Sequence, residues 1–165
     1  MQCKISARPA QLEDLEVLLD LESLRRKSYE VYSPIFWAEA EQAREAQREY
    51  FRELLSAKNE NAIVRVAEES GRIMAFAIGY IANSPAVYRE QKVCFVDDFP
   101  IAADASWDTH GRAALEAVES EAIRRGATLT NVVCAQQDLK KRDFLRKRNL
   151  AVASEWWVGP IKGDR

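Results

Sequence analysis

Hydrophobic residues along the chain change their period, and the changes divide it into elements. Residues 4–7 read as a short strand ahead of Arg8-Pro9. Over 11–27, Leu12, Leu15, Val17, Leu18, Leu19 and Leu21 recur at helical spacing and give one leucine-rich face. The stretch 29–34 breaks that helix, and 36–57, rich in strong helix formers, predicts a second and highly charged one. The period then shortens. Residues 62–68 and 72–82 read as strands, with Glu69-Ser70-Gly71 between them as the turn of a hairpin. Residues 93–101 (VCFVDDFPI) make a third strand of this group. A helix over 109–125 lines Ala114, Leu115, Val118 and Ala122 on one face and ends at Gly126, a C-cap. Residues 129–135 read as a strand covered on both faces, 139–148 as a short basic helix and 150–158 as a final strand. The order β-α-α-β-β-β-α-β-α-β predicts an α/β fold in one domain over 1–165, a mixed β-sheet flanked by helices on both faces.

Composition changes this picture little. A chain of 165 residues with 47% hydrophobic and 30% charged residues has enough apolar surface for a full core. Its net charge of −2, with both signs interspersed, lacks the basic footprint of a nucleic-acid binder. Cys3, Cys94 and Cys134 are far apart and odd in number, which argues against a disulfide framework or a zinc site and for reduced thiols in the cytoplasm. No apolar run has the length of a membrane span, and MQCKISARP lacks the apolar core of a secretory signal. No metal and no membrane partner are expected.

The candidate chemistry gathers around the strand, turn and helix start from Val93 to Arg112. The first N–H groups of a helix have no internal partners, so such a corner can bind an anion; an ordinary crossover has the same pattern. Thr109, His110, Gly111 and Arg112 can offer consecutive N–H donors, and Arg112 adds charge. Pro100 has no N–H to give a ladder, so strand pairing is interrupted there. Asp97 and Asp98 lie just upstream, and either carboxylate can take a proton from an amine; an ion pair or a cap serves equally well for each. Strand alternation lets only one of them enter a given cleft unless a bulge intervenes. His110 has no cluster of ligands for a metal around it. Tyr29, Tyr32, Phe36 and Trp37 lie between the first two helices, where they fill space or receive the apolar part of a ligand. Most of the basic run 140–148 reads as a solvated face without an aromatic platform for RNA, with Lys141 alone placed to reach phosphates. Trp156 and Trp157 should lie on opposite faces of the last strand.

Element order over nearly the whole chain, and the spacing of motifs from Val93 to Val158, resemble the GNAT superfamily of N-acetyltransferases, in particular its divergent bacterial members. The donor motif Gln/Arg-x-x-Gly-x-Gly/Ala falls on Ser106-Trp107-Asp108-Thr109-His110-Gly111, which keeps the last glycine. The later motif Asn-x-x-Ala-x-x-Phe-Tyr-x-x-x-Gly-Phe falls on Asp138, Lys141, Phe144, Leu145, Asn149 and Leu150. The resemblance implies an acetyl-CoA-dependent N-acetyltransferase acting by direct attack of a primary amine. Phe99 and Ile101 would pair with the pantetheine arm, and Thr109 to Arg112 would hold the pyrophosphate. Asp138 and Lys141 would lie near the cofactor, and Tyr29, Tyr32 and Trp37 near the acceptor. Asp97 or Asp98 would serve as base, and a homodimer is the family expectation. Leu145 stands where many members have a tyrosine acid. With Ser106 and Thr109, it keeps open the alternative of a GNAT-like acyl-CoA-binding sensor or interaction module without turnover.

Overall fold

The computed structural model describes residues 4–56 and 60–161. Five strands form one sheet in chain order: β1 (Ile5–Pro9), β2 (Ala62–Glu69), β3 (Arg72–Asn83), β4 (Lys92–Val96) and β5 (Leu129–Val132). The first four are antiparallel, and β5 joins β4 in parallel after a helical crossover. Helices α1 (Leu15–Tyr32), α2 (Pro34–Trp37) and α3 (Ala43–Leu55) precede β2; α4 (Arg112–Arg124) links β4 to β5, and α5 (Leu139–Lys147) follows. No helix among the described residues is long and apolar enough to cross a membrane.

The two faces of β3 separate two cores, as side-chain alternation requires. Met74, Phe76 and Ile78 pack with Leu15, Leu18 and Leu19 of α1 and with Phe51 and Leu54 of α3. Ala75 and Ala77 share the other core with Cys94, Val96, Leu115, Val118, Phe144 and Leu145, on the side of α4 and α5. The mixed sheet with helices on both faces is therefore the observed architecture. Gly126, at φ 87°, closes α4 as its position in the sequence implies.

Four elements depart from the sequence reading. The strand expected over 129–135 ends at Val132 and, as the last strand of the sheet, is not covered on both faces: Leu129 is 47% exposed. The single helix expected over 36–57 is interrupted, because Trp37 packs edge-on against Tyr29 at 5.3 Å and against Phe36 at 4.6 Å, ending α2 before α3 begins. Ring packing overrides local helix propensity there. The strand expected over 93–101 is regular only to Val96. Beyond it the Ile78 carbonyl accepts from the Asp97 N–H (3.3 Å) while the Ile78 N–H donates to the Asp98 carbonyl (2.9 Å), so two residues face one. This is a β-bulge, and it inverts the alternation: Cys94 and Val96 face the α4 core, and so do Phe99 and Ile101. Finally, the strand expected over 150–158 does not form. Residues 151–161 lie outside any strand and are exposed, so Trp156 and Trp157 do not flank a sheet.

Candidate active site

The apolar stripe of α1 runs Leu15, Leu18, Leu19 and then, at the same period, Glu22, Arg25 and Tyr29. Charged groups are thereby carried into the interior opposite the bulge. Glu22 is only 1% exposed. Arg25 donates from Nη2 to Glu22 Oε1 (2.5 Å) and to Asp98 Oδ1 (2.7 Å), and its guanidinium lies 5.1 Å from the centre of the Tyr29 ring. Asp98 is 7% exposed. Burial, and then the Glu22 charge, push its carboxyl up to about 7, with Arg25 opposing. Asp97, its neighbour, is exposed. The bulge thus parts the two carboxylates by burial, one inside and one in water.

Beside this cluster is a cavity of about 210 Å³ lined by Glu22, Arg25, Arg26, Tyr29, Phe36, Trp37, Glu39 and Gln47 among others. Arg26 donates to Gln47 Oε1 (3.0 Å) and, at 3.4 Å, to Glu39. The Nη1 of Arg25 and the Nη2 of Arg26 are buried without a hydrogen-bond partner. Tyr29 and Trp37 of the sequence reading meet here, whereas Tyr32 contacts Tyr29 at 5.7 Å but is not part of the lining. A larger polar hollow of about 570 Å³ around Asn83, Arg89, Lys92 and Thr128 shares no residue with this site and contains none of its buried charges.

On the other side of β4, the sheet parts. Val133 N–H to the Val96 carbonyl (2.9 Å) is the last backbone bond between the two chain segments among the described residues. Lys141 enters this gap. It is fully buried, donates from Nζ to the Phe99 carbonyl (3.3 Å), and lies 5.0 Å from the Phe99 ring centre and 5.6 Å from that of Trp107. Burial lowers its pKa to about 8. Lys141 therefore does not belong to the solvated face expected of the basic run. Asp138 caps α5, its Oδ1 accepting from the Lys141 N–H (3.2 Å), and Leu145 packs in the core. Cys134 is half-buried, and burial pushes its thiol up.

The turn ahead of α4 is wound as a π-helical turn, Trp107–Gly111, so the helix mouth opens earlier than 109. The N–H groups of Thr109, His110 and Gly111 all point to the Ser106 carbonyl (3.4, 2.9 and 3.1 Å), and that of Arg112 is bonded within the turn. His110 is buried, its Nδ1 accepting from the Ser106 N–H at 3.1 Å and its Nε2 3.4 Å from Glu69. Trp107 packs against Gly111 so closely that a Cβ there would lie 2.7 Å from its ring. The same ring meets Phe99 edge-on at 5.0 Å and stacks on Phe144 at 5.6 Å. Arg112 is exposed. A parted strand edge along Phe99 and Ile101 suits an extended, amide-bearing arm. The amides of 109–112 are already engaged and do not fit a diphosphate as they stand.

Glu22, Arg25, Arg26, Gln47 and Trp107 were not singled out from the sequence. Glu22 left one signal, a carboxylate in register with a leucine stripe, where a merely solvated residue has no place. Among the described residues no group of three or more His, Cys, Asp or Glu is placed to hold a metal ion.

No family model matches the chain, and no curated protein matches it. Solved structures do. A mutant of the BH1408 protein from Bacillus halodurans superposes with a TM-score of 0.82 at 14% identity, over 94% of this chain and 99% of that one. An aminoglycoside N-acetyltransferase in complex with CoA gives 0.70 at 12% identity, over 99% and 98%. Glucosamine-6-phosphate N-acetyltransferase from Arabidopsis thaliana gives 0.68 at 14% identity, over 96% and 99%. At such identities the backbone is what is shared, and that backbone, with β4 parting from β5 beside the opening of α4, is the fold of the GNAT acetyltransferases.

Proposed function

We propose that the chain is an acetyl-CoA-dependent N-acetyltransferase that acts on a primary amine held in the cavity between α1, α2 and α3. The observation that carries this reading is Asp98: a buried carboxyl near neutrality, placed by a bulge where β4 leaves β5. An ammonium acceptor has to lose a proton before it can attack, and a carboxyl titrating near 7 is matched to that transfer at neutral pH. Arg25 holds one Asp98 oxygen and so orients the other. Trp37 and Phe36 supply an apolar wall, while Glu22 and Glu39 give the cavity carboxylates that favour a cation. The unpartnered guanidinium N–H groups of Arg25 and Arg26 favour an acceptor that also carries a carboxylate or phosphate. The acceptors named for two of the structural neighbours, an aminoglycoside and glucosamine-6-phosphate, are likewise amines. The donor supplies an activated acyl thioester; Leu145 gives the leaving group no proton. We place the protein in the cytoplasm.

A second reading rests on the opposite corner. Trp107 and Lys141 crowd the corner where the donor would lie, and Leu145 offers the leaving group no proton, which favours a module that binds an acyl-CoA without turnover. Thermal-shift measurements with acetyl-CoA, followed by a panel of amines read out as free thiol, separate the two. The enzyme reading expects a shift and thiol release that Asp98→Asn cuts at least tenfold with the shift kept. A shift without release on any amine supports the module, and no shift at millimolar donor removes both.

A further inference from the structure

Tyr29 is 2% exposed, yet it stands in the lining of the cavity between α1, α2 and α3, with Trp37 edge-on to its ring. Arg25 precedes it by one helical turn on the same face of α1, lies 5.1 Å from its ring centre and holds Asp98. The phenol and the buried carboxyl therefore flank one guanidinium.

The hydroxyl reaches further than the ring. It accepts from the Ala135 N–H (3.4 Å), a backbone group just past the end of β5. Val133 makes the last bond of that segment to β4, so Ala135 belongs to the stretch that has already parted from it. The same stretch is tied to α1 once more, Gln137 donating from Nε2 to the Tyr32 carbonyl (3.0 Å). The end of α1 thus spans the place where the sheet opens, and the phenol oxygen sits at the boundary between the cavity and the parted strands. Among the described residues nothing accepts its proton. A buried hydroxyl ordinarily donates as well as accepts, so this one keeps a donor in reserve. Burial pushes the phenol up, with Arg25 opposing, and it holds its proton throughout the neutral range.

A thioester that enters along Phe99 and is attacked from the cavity presents its carbonyl at this boundary. As the amine nitrogen bonds to the carbonyl carbon, the π electrons move to oxygen, and that oxyanion needs a donor aimed at it in advance. A phenol that does not give up its proton suits the oxygen; the sulfur has less need of it, since a thiolate can leave near neutral pH. We propose that Tyr29 is a catalytic residue of the acyl transfer, donating a hydrogen bond from its hydroxyl to the thioester oxygen and to the oxyanion formed from it. The inference rests on the acetyl-transfer reading above and adds a residue to it. Asp98 takes the first proton of the ammonium. In the collapse the carbonyl re-forms, the C–S bond breaks with its electron pair on sulfur, and the second nitrogen proton passes through solvent to the thiolate. Tyr29 ends the cycle as it began.

Infrared difference spectra of acetyl-CoA, isotope-labelled at the thioester carbonyl carbon and bound to the full chain without any amine, read this hydrogen bond directly. The expected stretch lies below that of the free thioester in the wild type and returns toward it in Tyr29→Phe, which keeps the ring. On an amine that releases thiol, Tyr29→Phe should lower kcat about 100-fold, as the loss of one oxyanion donor does, with the KM for acetyl-CoA kept. Gln137→Ala, which cuts the other tie between α1 and the loop, should leave frequency and rate at the wild-type values. A change there as large as in Tyr29→Phe would make the phenol a structural tie and overturn the assignment. An unshifted stretch in the wild type overturns it too, whether or not the variant folds. So does a loss that vanishes with an aryl thioester, whose thiolate leaves more readily, because the phenol would then serve the sulfur. A shifted stretch with no thiol release on any amine sinks the enzyme reading and the catalytic role with it; release with an unshifted stretch sinks this inference alone.

Discussion

The two sides of bulged β4 make an instructive pair. Toward α1 the fold encloses a cavity of about 210 Å³ rimmed by Glu22, Arg25, Arg26 and Trp37. Toward α4, at the corner where the strands part, Trp107 and Lys141 occupy the space themselves. The hollow side holds its charges by mutual pairing across Arg25, and part of that pairing is left open, in two unpartnered guanidinium N–H groups. On the filled side the polar groups are largely engaged: turn amides on the Ser106 carbonyl, an imidazole on a backbone N–H and an ammonium on the Phe99 carbonyl between two rings. A GNAT backbone, then, fixes where openings can exist. Side chains decide which of them stays open.

Breaking the hollow side should have the largest effect. Arg25→Met leaves Glu22 and Asp98 buried without their shared cation, and a loss of about 3–5 kcal/mol is expected from denaturant midpoints. A loss below about 1 kcal/mol would mean that the three charges are not coupled. On the filled side, Trp107→Ala removes a half-buried ring from Phe99 and Phe144 and should cost about 2–4 kcal/mol. It should also tighten acetyl-CoA binding in calorimetry, because the space beside Gly111 is vacated; unchanged or weaker binding would place the donor elsewhere.

The next effect is a pH dependence. Asp98 has a folded pKa of about 7, raised from an ordinary carboxyl's 3.8, so between these values the folded state holds a proton that the unfolded state has released. Stability from this group is full below about pH 4 and falls as pH rises through 7. Asp98→Asn should flatten that fall in urea titrations between pH 5 and 8. The smallest change is expected for Lys141→Met, within about 1 kcal/mol at pH 7, since the stem's packing is kept while a desolvated charge is removed. Here the sign is reversed: a lysine lowered to about 8 from 10.5 makes the wild type gain stability as pH rises from 8 toward 10.5, and the variant should lose that gain.

Much of the scaffold was legible from periodicity. The leucine face of α1, the hairpin of β2 and β3 and the helix closed by Gly126 all depend on neighbours in sequence, and all appear. The site was legible in part. Asp97 and Asp98 are visible as a pair, but which of them is buried depends on one extra residue opposite Ile78, and nothing local announces it. Lys141 stands out of its basic run as a candidate cofactor contact, but its burial is not legible there; only the meeting of Phe99 with Trp107, far apart in the chain, makes a place for its ammonium.

By itself, then, the amino-acid order determined the succession of elements from β1 to α5 apart from the break between α2 and α3, and a crossover helix preceded by a polar turn. These follow from side-chain period and backbone sterics, which act over a few residues. Tertiary structure alone decided that α2 stops at Trp37, that the amides of Thr109 to Arg112 are spent inside a π turn, and that 151–161 pairs with no strand among the described residues. Each of those outcomes turns on whether a ring, a carbonyl or a strand edge from a distant segment is present to be paired, and the desolvation cost of leaving polar groups unpaired makes the choice.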